Sequence, residues 1–351
     1  MSFNNFKING RMIGSNQPPY IIAELSANHG GSLKRAKKII KLSKQSGADA
    51  IKLQVYGPES LTIKCKEKDF IIGKNFNWKN KNLYDLYKSA QTPKKWVPEL
   101  LNYSKKIGIT VFATPFDIET VKFLNKLGVP AFKISSFEAN YHDLIIECVK
   151  TRKPVIISTG MCKKKEIQEI VNLVKKNGGN KLALLKCTSS YPAKLNEINL
   201  SVIPDMKKNF NTNIGFSDHT LGIESSILAI GYGACIIEKH FIDKKKPKTP
   251  DSFFSILPHE LKSLVKRANE AYRLKGYIKY GPTKIESESM VFRRSIYCIK
   301  DIMIGEKLTK ANIAIIRPGK GLDPKFFNKI IGKKTKKKII KGTAIKLAFL
   351  K

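Results

Sequence analysis

The chain has 351 residues, with 65 lysines and arginines against 28 acidic residues, a formal net charge of +37 at pH 7 and a hydrophobic content of 42%. That length calls for one large domain plus a small one. Its longest apolar runs, such as Val155-Ile156-Ile157, are strand-sized and exclude a membrane-spanning helix.

The first residues, Met1 to Asn5, carry no apolar core segment and no small-residue cleavage site, so a cytoplasmic location is expected. The six cysteines are scattered without a C-x-x-C pair, the pattern of reduced thiols rather than disulfides or a zinc site. The lysines run along the whole chain, and only Lys333-Lys334-Thr335-Lys336-Lys337-Lys338 is dense, which reads as a solvated face. Nucleic acid is therefore not the expected partner, whereas an anionic small substrate would be drawn in by such a field.

From Pro19 to about Lys275, short β-like runs alternate with helical segments. The strand candidates are 21–24, 50–54, 110–114, 131–135, 155–158, 182–186, the run ending at His219 and the run 236–241. Eight β-α units over this length predict a (β/α)8 barrel. A doubly wound open sheet is the alternative, but no strand opens a G-x-G-x-x-G turn.

The strand ends are polar: Glu24, Lys52 and Gln54, Thr114, Lys133 and Ser136, Ser158, Lys186 and Thr188, Ser217 and His219, Glu238 and His240. Barrel active sites lie at these C-terminal ends. Lysines and hydroxyls converging there suit a substrate bearing phosphate and carboxylate. His219 and His240, at the ends of consecutive strands, are candidate ligands of one divalent metal; two unrelated histidines are the competing reading. His29 lies in the loop after the first strand and could reach the site, while His142 and His259 read as solvated helix residues. The stretch Lys66 to Trp96 is long for a βα loop and reads as shaping a sugar pocket, with an ordinary packed helix explaining its Leu/Tyr spacing equally well.

Residues 276–290 are rich in Gly, Pro, Ser and Glu and read as a linker between a barrel domain, 1–275, and a mostly β module, 291–351. The module is near the lower size limit for an independent core.

These stretches, taken in order, resemble the sialic acid synthase family, enzymes that condense phosphoenolpyruvate with an amino sugar. The matching runs are IIAELSANH (21–29), IKLQ (51–54), FATPFD (112–117), FKISSFE (132–138), IISTGM (156–161), KCTSSYPA (186–193), GFSDHTLG (215–222) and IIEKHF (236–241). RRSIY (293–297) and IRPGKGL (316–322) look like that family's antifreeze-like, or SAF, domain. Within the family, ELSANH, NLYDLYKSAQTP (82–93) and PDSFFS (250–255) look most like the pseudaminic acid synthase branch; the N-acetylneuraminate and legionaminate branches are the alternatives.

The resemblance implies that His219 and His240 hold a divalent metal, Mn2+ before Mg2+ or Co2+, and that Glu24 orients or deprotonates a water. It assigns Lys52, Thr114, Lys133, Ser136, Ser158 and Ser217 to phosphate and carboxylate. Gln54, Glu138, Tyr191 and Asp251 would face the sugar. Arg317 would come from the partner subunit in a domain-swapped homodimer. A barrel that adds phosphoenolpyruvate to a sugar phosphate would need a second Arg/Lys cluster, and the strand ends supply none. A non-catalytic basic binding protein is the distant rival.

Overall fold

The computed structural model describes residues 5–74 and 77–351, so Met1 to Asn4 of the N-terminal reading lie outside the described residues. The chain divides into two compact units, Met1–Gly276 and Tyr277–Lys351. The first opens with an antiparallel hairpin, β1 (Phe6–Ile8) and β2 (Arg11–Ile13). Eight parallel strands follow: β3 (Tyr20–Glu24), β4 (Ala50–Val55), β5 (Thr110–Pro115), β6 (Phe132–Ile134), β7 (Val155–Ser158), β8 (Leu182–Cys187), β9 (Asn213–Asp218) and β10 (Ile236–His240). They form a closed barrel, β10 pairing with β3. The predicted (β/α)8 architecture is present strand for strand.

Period-two alternation divides every strand between two environments. Outward residues such as Ile21, Leu53, Val111, Ile157, Leu184 and Phe216 pack with the surrounding helices in one large core. Inward residues at the strand beginnings, Tyr20, Ile22, Ala50, Phe112, Ile156, Leu185 and Ile236, form a separate apolar floor. Phe6, Ile8 and Ile13 of the hairpin join that floor and close the barrel's N-terminal end. Gly215 is required inside: a Cβ there would lie 2.6 Å from the Ile236 carbonyl oxygen.

The returning helices follow from their sequences. Lys164–Lys176 buries Ile167, Ile170, Val171 and Val174, a 3–4 spacing that makes one apolar stripe and leaves the lysines outside. Each such side chain contributes about 1.5–3 kcal/mol on burial. Ile118–Lys126 starts where the Asp117 carboxylate accepts from the Thr120 amide at 2.6 Å, a cap worth about 1 kcal/mol. The stretch after β4 makes an extra excursion through the helix Leu83–Ala90 before the helix Val97–Ile107 returns to the barrel. Among the described residues no helix is long and apolar enough to cross a membrane.

The second unit begins with the exposed segment 277–292. It is not featureless linker: a short helix, Lys284–Ser289, starts where Glu286 N donates to Thr283 Oγ1 and Thr283 N donates to Glu286 Oε2. This reciprocal box was legible as Thr-x-x-Glu. Beyond it β11 (Ser295–Cys298) and β12 (Ile313–Ile316) pair antiparallel, and isolated bridges add 302 to 339 and 335 to 350. Ile296, Ile302, Leu308, Ile313, Ile330, Ile339 and Ile345 are its core. The lysines of 333–338 are exposed, with Thr335 between them turned inward.

Candidate active site

Above the apolar floor, the interiors of seven of the eight barrel strands turn polar, and β8 presents Cys187. Lys52 Nζ donates to Thr114 Oγ1 at 3.0 Å, forms an ion pair with Glu24 and stands 3.7 Å from Glu238 Oε1. Lys133 Nζ donates to Ser158 Oγ at 2.6 Å and stands 3.9 Å from Glu238 Oε1. Ser217 Oγ donates to the same Glu238 oxygen at 3.3 Å. All of these side chains are buried. Two cations against two carboxylates keep the buried charge balanced, without which the desolvation cost would be prohibitive. Glu238 is the hub of the group, although the sequence reading gave it no role beyond its place at a strand end. Its inward parity with His240 was the available signal.

The two carboxylates differ. Burial pushes Glu24 up to about 7, against the opposing charge of Lys52. Burial acts on Glu238 too, but Lys133 and Lys52 together hold it below the usual carboxylate range. Glu24 is therefore the group able to exchange a proton near neutrality. Its Oε1 accepts from the Ser26 amide at 2.9 Å, which fixes the carboxylate plane.

His219 and His240 stand beside this group with ring centroids 5.4 Å apart. His219 Nδ1 donates to the Thr188 carbonyl at 3.0 Å. That bond selects the tautomer whose Nε2 lone pair is free for a ligand. His240 Nδ1 is a buried nitrogen with no hydrogen-bond partner. An orphaned imidazole nitrogen beside a second, oriented imidazole is the donor chemistry that would hold a divalent ion. Among the described residues no group of three His, Cys, Asp or Glu could hold a metal ion. His219 and His240 are the pair that would hold such an ion. The Tyr191 ring lies 4.5 Å from His219 and the Phe254 ring 4.6 Å from His240, closing the pair from above.

At the end of β8, alternation turns Lys186 outward, where its Nζ donates to the Cys187 carbonyl at 3.0 Å. Cys187 takes the inward place instead, its Sγ 3.8 Å from His219 Nδ1. His29 does not reach the site. It is buried with Nδ1 accepting from the Gly31 amide and its ring against Trp96, and burial lowers its pKa to about 4. His142 and His259 are exposed, as expected.

Over the polar crown lies a cavity of about 700 Å³. Gln54, Glu138, Tyr191, His240 and Asp251 line it, together with Ile71, Ile72, Trp78, Leu83, Leu86 and Tyr87 from the long excursion after β4. The excursion is pinned across the mouth: Trp78 Nε1 donates to the Pro250 carbonyl at 3.0 Å, and the Asn77 amide donates to the Tyr191 carbonyl. Glu138 accepts from the Ser135 hydroxyl, Asp251 from the Ser26 hydroxyl, and Ser136 Oγ from the Gly160 amide at 3.0 Å. The structure therefore gathers Glu24, Lys52, Gln54, Thr114, Lys133, Ser136, Glu138, Ser158, Tyr191, Ser217, His219, His240 and Asp251 at one end of one barrel. Arg317 is in the second unit, exposed on its surface.

Comparison with known proteins places this geometry. The NeuB family matches residues 39–280 and the SAF domain residues 293–351. A pseudaminic acid synthase of Campylobacter jejuni is 41% identical, covering 93% of this chain and 95% of its own. An N,N'-diacetyllegionaminic acid synthase of Legionella pneumophila is 35% identical, covering 97% and 98%. The crystal structure of an N-acetylneuraminic acid synthetase from Leptospira borgpetersenii, in complex with citrate, superposes with a TM-score of 0.74 at 34% identity over 82% of this chain and 96% of that one. The resemblance carried by the strand-end motifs is borne out, and the chain belongs to the NeuB family, with a SAF domain following its barrel.

Proposed function

We propose that this chain is a pseudaminic acid synthase that condenses phosphoenolpyruvate with 2,4-diacetamido-2,4,6-trideoxy-L-altrose and water, releasing phosphate. The coarser class, a nonulosonic acid synthase forming a C–C bond, is carried by family membership and by the named activities of its relatives. The choice of acceptor rests on one observation besides the relatives. The excursion after β4 contributes Ile71, Ile72, Leu83 and Leu86 to the cavity lining, beside Asp69, Asn77 and Tyr87, and this apolar share suits a deoxygenated, N-acetylated sugar.

In this reading Lys52 and Lys133 exchange Glu24 and Glu238 for the phosphate and carboxylate of phosphoenolpyruvate, with Thr114, Ser136, Ser158 and Ser217 donating to its oxygens. The C=C pair of phosphoenolpyruvate bonds its methylene carbon to the aldehyde carbon of the open-chain sugar, whose C=O pair moves to oxygen and takes up a proton, leaving C2 electron-poor. Water held by Glu24 adds to C2 and gives a proton to Glu24, and the C–O bond to phosphate then breaks as the new C2 hydroxyl loses its remaining proton and becomes the ketone. His219 and His240 would hold a divalent ion, Mn2+ by preference, which when bound supplies Lewis-acid polarisation of the aldehyde. Gln54, Glu138, Tyr191 and Asp251 orient the sugar. A cytoplasmic location and a homodimer, in which Arg317 serves the partner subunit's barrel, are part of the same proposal.

The test is phosphate release from phosphoenolpyruvate with Mn2+, offering the L-altrose derivative and N-acetylmannosamine in parallel. Release with the altrose alone is expected. Release with N-acetylmannosamine alone would keep the chemistry and overturn the acceptor, and silence with both would overturn the reaction.

A further inference from the structure

On β9 and β10 the outward residues Ile214, Phe216 and Ile237 are hydrocarbon until the strand ends. There Asp218 and Lys239 are register partners, and each stands one residue before a histidine of the candidate metal pair. Because the side chains alternate, the histidines face the mouth while this pair faces the helix layer. Lys239 Nζ lies 2.8 Å from Asp218 Oδ2, with the two side chains 1% and 0% exposed.

The carboxylate is saturated. Asp218 Oδ1 accepts from the amide and hydroxyl of Thr220, both at 2.8 Å, and Oδ2 from Ser225 and Ser226 at 2.8 and 2.6 Å. Lys239 Nζ also donates to the Thr220 carbonyl at 2.8 Å. The backbone on both sides of His219 is thus held by Asp218, and the residue before His240 is tied to the same turn. Ser225 and Ser226 belong to the helix Glu224–Gly231, so the turn is fastened to the outer layer as well.

Stability alone does not call for such a pair. Hydrocarbon of similar volume commonly serves a core as well as a buried ion pair does, and Phe216 and Ile237, which precede Asp218 and Lys239 on the same outward side, are hydrocarbon. What hydrocarbon cannot do is fix a hydrogen-bonded register at two strand ends. We infer that Asp218 and Lys239 are positioning residues that set the relative placement of the His219 and His240 imidazoles, and through it the affinity for the divalent ion. The inference rests on the proposed metal role of those histidines.

The test compares full-length wild type with D218N/K239M and K239R. The double variant removes both charges, so neither is left buried alone, while the side-chain amide oxygen that replaces the Asp218 carboxylate still accepts from the Thr220 turn. Three quantities are measured: melting temperature without metal, Mn2+ affinity by titration, and 15N signals of the histidine rings in the metal-free chain. The double variant is expected to melt within a few degrees of wild type, to bind Mn2+ about 10- to 100-fold more weakly, and to show displaced ring signals. K239R, which keeps the ion pair, should bind as wild type does.

A folded double variant with wild-type affinity and unmoved ring signals overturns the inference. If it does not fold, D218E carries the test, since a longer tether must shift both affinity and ring signals. Wild type that takes up no Mn2+ overturns the metal reading, and ring signals displaced in the metal-free double variant would still support the positioning role.

Discussion

Glu24 and Glu238 show how far residue type alone can mislead and how far parity corrects it. Both are buried carboxylates on neighbouring strands, yet burial leaves Glu24 near 7 while Lys133 and Lys52 keep Glu238 ionised. If Glu24 takes the proton from water, it must be ionised to act, so kcat/KM should rise as pH increases through about 7. The variant E24Q should lose that limb together with about 10²- to 10⁴-fold of the rate. A pH–rate profile of both proteins checks this, and an unchanged limb in E24Q would assign the titration elsewhere. The polar crown was readable because the inward residues near seven of the eight strand ends were Glu, Lys, Thr, Ser or His. Cys187 was missed because the neighbouring Lys186 looked more like a ligand, although one step of alternation sends Lys186 outward and Cys187 in. Glu238 was seen at its place, but its partners Lys52, Lys133 and Ser217 come from other strands. No spacing in the sequence shows which of them meet.

At the scale of elements, the parallel strands were legible as apolar runs that end in polar residues, because a strand covered on both faces needs hydrocarbon on both. The hairpin was not. Its strands are three residues long, too short for a period to show, and only Asn9-Gly10 betrays it, both with positive φ (46° and 84°) as a two-residue turn requires. The excursion after β4 was expected to shape a pocket, and it does, through Trp78 and the helix Leu83–Ala90. Trp78 fastens the excursion by one hydrogen bond to Pro250 and by ring contacts with Tyr191 and Phe253 at 5.8 and 6.2 Å. Losing these contacts costs about 1–2 kcal/mol. W78A should therefore raise KM for the sugar about tenfold and leave KM for phosphoenolpyruvate near wild type, since the proposed function puts the anion below the excursion among Lys52 and Lys133. Equal rises in both constants would mean that the excursion supports the whole barrel mouth rather than the sugar wall.

The net charge of +37 belongs to the molecule as a whole and not to its active site. Inside the barrel Lys52 and Lys133 are balanced by Glu24 and Glu238, so the crown presents little net field to an arriving anion. The attraction must come from the exposed lysines, whose charges lie in water and are screened beyond a Debye length of about 10 Å at 0.1 M salt. Capture of phosphoenolpyruvate, which is multiply anionic at neutral pH, should then weaken as salt rises. Raising salt from about 20 mM to 0.3 M shortens the Debye length about fourfold, so kcat/KM for phosphoenolpyruvate should fall several-fold. The KM of the uncharged sugar should change little, because the surface field does not steer a neutral molecule and Glu138 and Asp251 meet it only at contact distance. Initial rates at several salt concentrations, with each substrate varied in turn, separate the two. A flat profile for phosphoenolpyruvate would show that the buried lysines alone capture the anion and that the surface charge has no part in catalysis.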